Sequence, residues 1–598
     1  MRRLGYAASA SWALLTCLLA TPALADEPKA LVEGDMDKAL RQQIQRAIGE
    51  TKTRPDSSFD ARSRADDAIG DAIAVLRSEG YYAYDIQSDV SEAEPPQALV
   101  RVTPGPRFHL KDASVLWVGP PPVDEVARVG IGAIRLTNGA PGRAADVVAA
   151  EGRVVAAIEK RGYADAASQP REVIVDHGDL SVRPTFKIAA GDLVRLGTIK
   201  VITDGRTNPV WVQGLAPWKI GAPYDPDKVA ELERSLTDVG VYEQVTVALA
   251  PRDQTGSDGL RRVIVSIADR PPHTLELGAG FSTNEGSGGD AKWTLYNRLG
   301  RADTLTFIAK IYDIKQKLDV ELALPHWRRP NQTLKIGGGF IGDRTAAFDD
   351  TGAGVRVDLE RRFSRTSFIT FGLAADYADT KENTAINAQA VPVGENLKLF
   401  IPSGLAAFAL DRSNDPLDPI RGWRLEARAE PTVILGDRRL TYLKVQTQVS
   451  GYLPLQGDGA TVIAGRIKVG AMLGGRLPDV PTDRRFFAGG GGSVRGYAYQ
   501  AVGPRLSDNT PSGGLSLVEA SVEARQKVGQ HWGVVAFVDA GSVGQAQYPT
   551  FSNLSVGAGI GVRYDLGFGP LRLDLATPLK RRKGDSPFQI YLSIGQSF

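Results

Sequence analysis

The chain has 598 residues, with 71 Lys and Arg against 69 Asp and Glu. That length accommodates two or more domains, and the charge balance excludes the basic surface that a dedicated nucleic-acid binder needs. The only cysteine is Cys17, which excludes an intrachain disulfide and a cysteine metal site.

Arg2 and Arg3 open a short basic region, an apolar stretch runs from Ala7 to Ala20, and Ala23-Leu24-Ala25 is a small-x-small site. This layout predicts a secretory signal peptide over residues 1–25, cleaved in the mature protein. Cys17 lies inside it, so the mature chain is expected to carry no thiol, and its basic and acidic residues then balance at 69 each. No later run of about 18 apolar residues exists, so no transmembrane helix is expected. A membrane location then demands a closed barrel, the other structure that satisfies every backbone group in lipid.

Helical and strand patterns alternate up to about residue 270. Asp60 to Glu79 has a helical apolar face of Ala68, Ile69, Ala72, Val75 and Leu76, and stops at Gly80. A strand-like run from Tyr81 to Val90 follows. The pattern recurs: Ala144 to Arg161 stops at Gly162 before Tyr163, and Pro226 to Val239 stops at Gly240 before Val241-Tyr242. A second marker repeats with it, because Pro104-Gly105-Pro106-Arg107-Phe108-His109-Leu110 resembles Ala190-Gly191-Asp192-Leu193-Val194-Arg195-Leu196. Such periodicity predicts three tandem α+β modules of about 80 residues, over residues 26–106, 107–190 and 191–271. One larger α+β domain is the alternative.

After Pro271-Pro272 the helical period disappears. Residues 272–598 read as short alternating strands separated by Gly, Asp and Asn. From Phe588 to Phe598 the even positions are mostly apolar and the odd ones polar, predicting a strand that runs to Phe598. Leu571, Leu573 and Leu575 alternate with Arg572 and Asp574, and Val522 lies opposite Glu523 and Arg525. Lipid on one side and a polar lumen on the other require this period of two, and roughly 16 strands fit the segment. A soluble antiparallel sandwich shows the same alternation, but seldom over so long a helix-free run.

Enzymatic signatures are weak. Arg495 occupies the second glycine position of a Gly-x-Ser-x-Gly elbow around Ser493. Val562 breaks a dinucleotide-binding pattern at Gly557-Ala558-Gly559-Ile560-Gly561, whose alternating glycines instead suggest a tightly packed lumenal stripe. His109, His177, His273, His326 and His531 have no metal-ligand spacing. No catalytic residue, cofactor or metal is expected.

Arg485-Phe486-Phe487-Ala488-Gly489-Gly490-Gly491-Gly492-Ser493, continuing into Val494-Arg495-Gly496-Tyr497, resembles the signature loop of the BamA/TamA outer-membrane insertase superfamily. Asp415 to Trp423, Ser521-Val522-Glu523, Phe537-Val538-Asp539-Ala540-Gly541 and Gly595-Gln596-Ser597-Phe598 resemble further family segments, in family order. The modules resemble POTRA domains (β-α-α-β-β), and three of them before one barrel are most similar to the TamA branch, which assembles autotransporters. The resemblance implies an outer-membrane location with periplasmic modules. It implies unfolded outer-membrane clients, contact with outer-membrane lipid, and a TamB-like inner-membrane-anchored partner at the first module. It also implies that the Val494–Tyr497 loop folds into the lumen, where Arg495 meets Glu523 and Asp539, with Phe537 against its stem. A lateral gate is expected between the first strand, with Gly278 and Gly280, and the last, with Gly595 and Phe598. A two-partner-secretion translocator and a passive porin are the alternatives.

Overall fold

The computed structural model describes residues 27–282, 286–383, 394–457, 459–567, 569–594 and 596–598. The expected signal peptide with Cys17, and Gly595, lie outside the described residues. The chain forms two compact units. One comprises the chain up to Gly197 with residues 220–227 and 251–261, and the other comprises residues 198–219, 228–250 and 262–598.

The first unit contains two successive α+β segments. In the first, helix Lys38–Ile48 is capped by the Asp37 carboxylate, which accepts from the Leu40 amide. Helix Ser58–Ser78 is capped by the Ser57 hydroxyl. Ala61, Ala65, Ala68, Ala72 and Leu76 recur every three or four residues and are buried beside Val100 and Val102. The sheet under them orders Leu31–Glu33, Ala98–Thr103 and Asp85–Val90. The strand expected from Tyr81 begins only at Asp85, because Tyr81 makes an isolated bridge to Arg107 instead. In the second segment, helix Ala144–Glu159 buries Val147, Ala150, Val154 and Ile158 against Phe186 and Ile188 of strand Ser181–Ala189.

The recurrent glycines have a common physical role. Gly80 (φ +91°) and Gly162 (φ +105°) adopt a backbone conformation that a Cβ disfavours. The Gly80 carbonyl accepts from the Phe108 amide (2.8 Å), and that of Gly162 accepts from the Val194 amide (2.7 Å). Both acceptors follow a helix, and both donors lie in the second repeated marker. The two sequence repeats are thus the two halves of one backbone joint. Asp165 and Arg261 add a two-pronged pair at 2.6 and 2.7 Å. Hydrogen bonding from Arg261 holds the Asp165 carboxyl below its usual range, against the opposing effect of burial.

In the second unit, helices Pro209–Gln213 and Pro226–Thr237 precede strands Tyr242–Leu249 and Leu260–Asp269. Gly240 (φ +70°) again follows a helix, but its carbonyl accepts from the Arg270 guanidinium (2.8 Å). Sixteen antiparallel strands then follow, from His273–Ser282 to Gln589–Ile594, each hydrogen-bonded to its sequence neighbour. The first and last strands end the hydrogen-bonded order and approach within 8 Å between Cα atoms. The wall is apolar outside, where Leu571, Leu573 and Leu575 are exposed, and charged inside, where Arg572 and Asp574 are buried. This is an outer-membrane β-barrel preceded by α+β modules.

Two sequence expectations fail. The stretch after Pro272 is interrupted by two short 3₁₀ turns, Leu477–Asp479 and Thr482–Arg484, at the base of the long loop between strands Thr461–Leu473 and Ser516–Val528. The last strand is described to Ile594, paired with Leu571 next to the start of the neighbouring strand at Pro570, and residues 596–598 belong to no strand. Phe598 therefore leaves the lipid-facing register, and its ring lies 5.4 Å from the guanidinium carbons of both Arg466 and Arg525.

Residues 26–271 expressed alone are expected to give a soluble fragment with mixed α/β circular dichroism. A purely β spectrum or partitioning into detergent contradicts three α+β modules. A carboxylate whose pKa is depressed by folding stabilises above its unfolded pKa of about 4, and this contribution is lost as the pH falls. Asp165→Asn is therefore expected to flatten the fragment's loss of stability on acidification, measured by thermal melts between neutral and acid pH.

Candidate functional site

The lumenal site is built on four adjacent strands, Ser516–Val528, Trp532–Gly544, Ser555–Asp565 and Pro570–Pro578. Their register pairs Glu523 with Phe537, Asp539 with Gly557, Phe537 with Gly559, and Gly561 with Asp574. Three carboxylates thus surround a stripe of glycines on the inner face. The stripe is the space the loop uses. A Cβ on Gly557 would lie 1.8 Å from the Arg495 carbonyl oxygen. A Cβ on Gly559 would lie 2.5 Å from the Phe537 ring, and one on Gly561 2.1 Å from Asp574.

The loop enters this space through apolar packing. Val480, Phe486, Ala488, Val494, Tyr497 and Val502 are buried with wall residues that include Leu399, Tyr442, Met472 and Val543. At its tip Arg495 is 1% exposed. Its Nε and Nη2 donate to the two carboxylate oxygens of Asp539 at 2.7 and 2.9 Å, and its Nη1 lies 2.7 Å from Glu523 and 3.0 Å from Asp574. The Phe537 ring centroid is 3.4 Å from the guanidinium carbon. The Arg495 amide also donates to Asp539. All three guanidinium nitrogens therefore meet carboxylate oxygens, and an aromatic face stacks against the guanidinium plane.

The neighbours of Arg495 complete the seat. Gly496 (φ +99°) turns the chain so tightly that a Cβ would lie 2.8 Å from the Thr577 carbonyl oxygen. Its amide donates to the Tyr591 hydroxyl (3.0 Å), which in turn donates to the Tyr497 carbonyl (2.7 Å). The Tyr497 hydroxyl donates to the Lys580 carbonyl (3.1 Å). A Cβ on Gly541 would meet the Val494 side chain at 2.6 Å.

The site is wider than the family segments indicated. Asp574 also pairs with Arg563 (2.6 Å) and Arg572 (3.2 Å), and Glu523 with Arg525 (2.9 Å). Ser493 donates to Glu519 (2.5 Å), which lies 3.4 Å from Arg466. Strand alternation places Asp574 and Arg572 in the lumen but cannot say which loop atom they meet. Tyr591 carries no sequence signal beyond its odd position in the last strand.

Of the residues expected at the first-to-last-strand seam, Gly278, Gly280 and Phe598 are described, and Gly595 lies outside the described residues. Gly278 faces Asp290 across the ladder and Gly280 faces Gly288, both on the lumenal side of the first strand. Phe598 is drawn inward, as described above. Ser597 donates to Glu523 (2.5 Å), so the segment after the last strand joins the charge network of the loop.

Sixteen antiparallel strands, with a buried arginine loop plugging part of the lumen, define a loop-plugged outer-membrane β-barrel. An Omp85 superfamily domain matches residues 297–598, and the chain belongs to that superfamily. It is 21% identical over 462 residues to outer membrane protein assembly factor BamA of Neisseria meningitidis serogroup B, covering 69% of this chain and 57% of the relative. It is 21% identical over 433 residues to the BamA of Neorickettsia risticii, covering 69% and 56%. The chain thus spans less than two thirds of the length of these relatives. The structure of Haemophilus ducreyi BamA lacking POTRA domains 1–3 superposes with a TM-score of 0.67 at 19% identity, over 81% of this chain and 99% of that one. The chain resides in the outer membrane, with its N-terminal modules in the periplasm.

Removing one side of a buried charge cluster costs about 3–5 kcal/mol, because the remaining charges stay buried without compensation. Arg495→Ala is expected to weaken the folded barrel, read as loss of the heat-modifiable band on a gel. Arg495→Lys should restore it only in part, because an ammonium cannot reproduce the two-pronged geometry. Gly557→Ala should expel the loop without removing any charge, read as new protease cleavage within residues 489–497. Wild-type behaviour of Arg495→Ala and Gly557→Ala would place the loop outside the barrel.

Proposed function

We propose that the chain assembles unfolded β-barrel clients into the outer membrane, autotransporters among them, by templating their strands at the seam between its first and last barrel strands. The observation that carries this reading is the unequal seam. The last strand is 6 residues long and the first is 10 residues long, and they stand at the two ends of the hydrogen-bonded order. Unpaired backbone groups in lipid cost several kcal/mol each, so a free edge both attracts a client strand and lowers its insertion barrier. Gly278 and Gly280 weaken the first strand as a permanent partner. The process requires no covalent chemistry.

The threefold sequence repeat before the barrel supports the TamA-like variant of this activity, with a TamB-like partner docked on the first repeat. The names of the relatives support the broader role of outer-membrane protein assembly.

The mature chain is expected to have no cysteine of its own, so a cysteine pair placed across residues 273–282 and 589–594 is a clean probe. Oxidation is expected to abolish client insertion while the folded barrel stays in the membrane, and reduction should restore it. Full insertion activity with the cross-link formed quantitatively rules out templating at this seam.

A further inference from the structure

The periplasmic ends of strands two to seven are joined by three consecutive turns with an unusual composition. The turn after Gly286–Tyr296 carries Arg298, Leu299 and Arg301. The turn after Lys315–Leu324 carries Trp327, Arg328 and Arg329, and the turn after Phe348–Arg362 carries Phe363, with Arg361 at the strand end. Leu299 is 58% exposed and Phe363 62%. The five arginines are exposed, and none forms an ion pair or side-chain hydrogen bond with a described residue. Arg328 lies over the Trp327 ring at 4.6 Å, with its charge still turned outward.

Residues 208–211 extend this surface. The Asn208 amide donates to the Gly300 carbonyl (2.8 Å), and the Trp211 ring lies 6.2 Å from that of His326. Val210, between them, is 73% exposed. Exposed apolar side chains therefore alternate with unpaired guanidinium groups along one arc of the barrel rim. The next periplasmic turn differs. Residues 412–421, between strands Glu395–Asp411 and Gly422–Gly436, carry Asp415 and Asp418 alongside Arg412 and Arg421.

We propose that this arc is a binding surface for anionic phospholipid headgroups of the leaflet that faces the modules. Aromatic and apolar side chains at the headgroup level, with arginines reaching phosphate, are the chemistry of a membrane interface. A guanidinium binds phosphate through two parallel hydrogen bonds, and unpaired arginines bear no competing carboxylate. The arc lies beneath the early strands, so bound anionic lipid anchors that half of the barrel next to its first strand.

The test is native mass spectrometry of the full chain in detergent, with phosphatidylglycerol or phosphatidylcholine added. Wild type is expected to retain phosphatidylglycerol about tenfold better, with the preference falling as salt rises. R298E/R301E/R328E/R329E should lose the preference, and R412E/R421E, on the neighbouring turn that also carries Asp415 and Asp418, should keep it. Where the quadruple glutamate variant lacks a heat-modifiable band, R298Q/R301Q/R328Q/R329Q is read instead. No preference in wild type, as for a patch that takes an acidic protein, overturns the proposal. So does a preference that survives the quadruple change, or one that R412E/R421E removes equally.

Discussion

A guanidinium inside a membrane barrel must find its counter-charges within hydrogen-bonding distance, because water is no longer there to solvate it. Arg495 meets that requirement with Asp539, Glu523 and Asp574, from three different strands. The constraint runs in both directions. These carboxylates are themselves fully buried, and without Arg495 their charges would strain the wall that carries them. The loop is therefore part of the barrel's electrostatic balance as well as a plug. Arg525, Arg563 and Arg572 share the same carboxylates, so the network ties the loop to the last strands on either side of it.

Space for this pairing comes from what the wall omits. Strand Ser555–Asp565 presents Gly557, Gly559 and Gly561 to the loop, and a methyl group at any of them would collide with the loop or with its partners. Glycine in a strand weakens pairing. Here the close approach of a second backbone offsets that weakness. The segment at 596–598 obeys the same logic. Outside the strand ladder, it turns inward, where Ser597 meets Glu523 and Phe598 meets two guanidinium groups. The segment after the last strand and the loop thus meet at one carboxylate, Glu523.

Much of this was legible in the residues. The alternation of Leu571, Leu573 and Leu575 with Arg572 and Asp574 separates lipid from lumen without any structure, because a strand has no other period. The glycine stops at 80 and 162 each mark a backbone joint, because the joint needs a positive φ and a free carbonyl. Gly240 repeats the sequence pattern, but its carbonyl accepts from the Arg270 side chain. What alternation cannot supply is contact across the lumen. Asp574 reads as lumen-facing, yet its place beside Arg495 depends on how far the loop descends, which no local pattern encodes. Phe598 misleads for a related reason. Its register continues the apolar face, but residues 596–598 belong to no strand, and its ring turns inward to two guanidinium groups.

The dependence of the barrel on a loop seated in its lumen is tested most directly by hydrogen exchange of the intact wild-type chain in a membrane mimic. The segment 489–497 contains the Arg495 and Gly496 amides, bonded to Asp539 and Tyr591. Protection of these amides comparable to that of strand Trp532–Gly544 is the expected result. Exchange as fast as that of an exposed surface loop would contradict it.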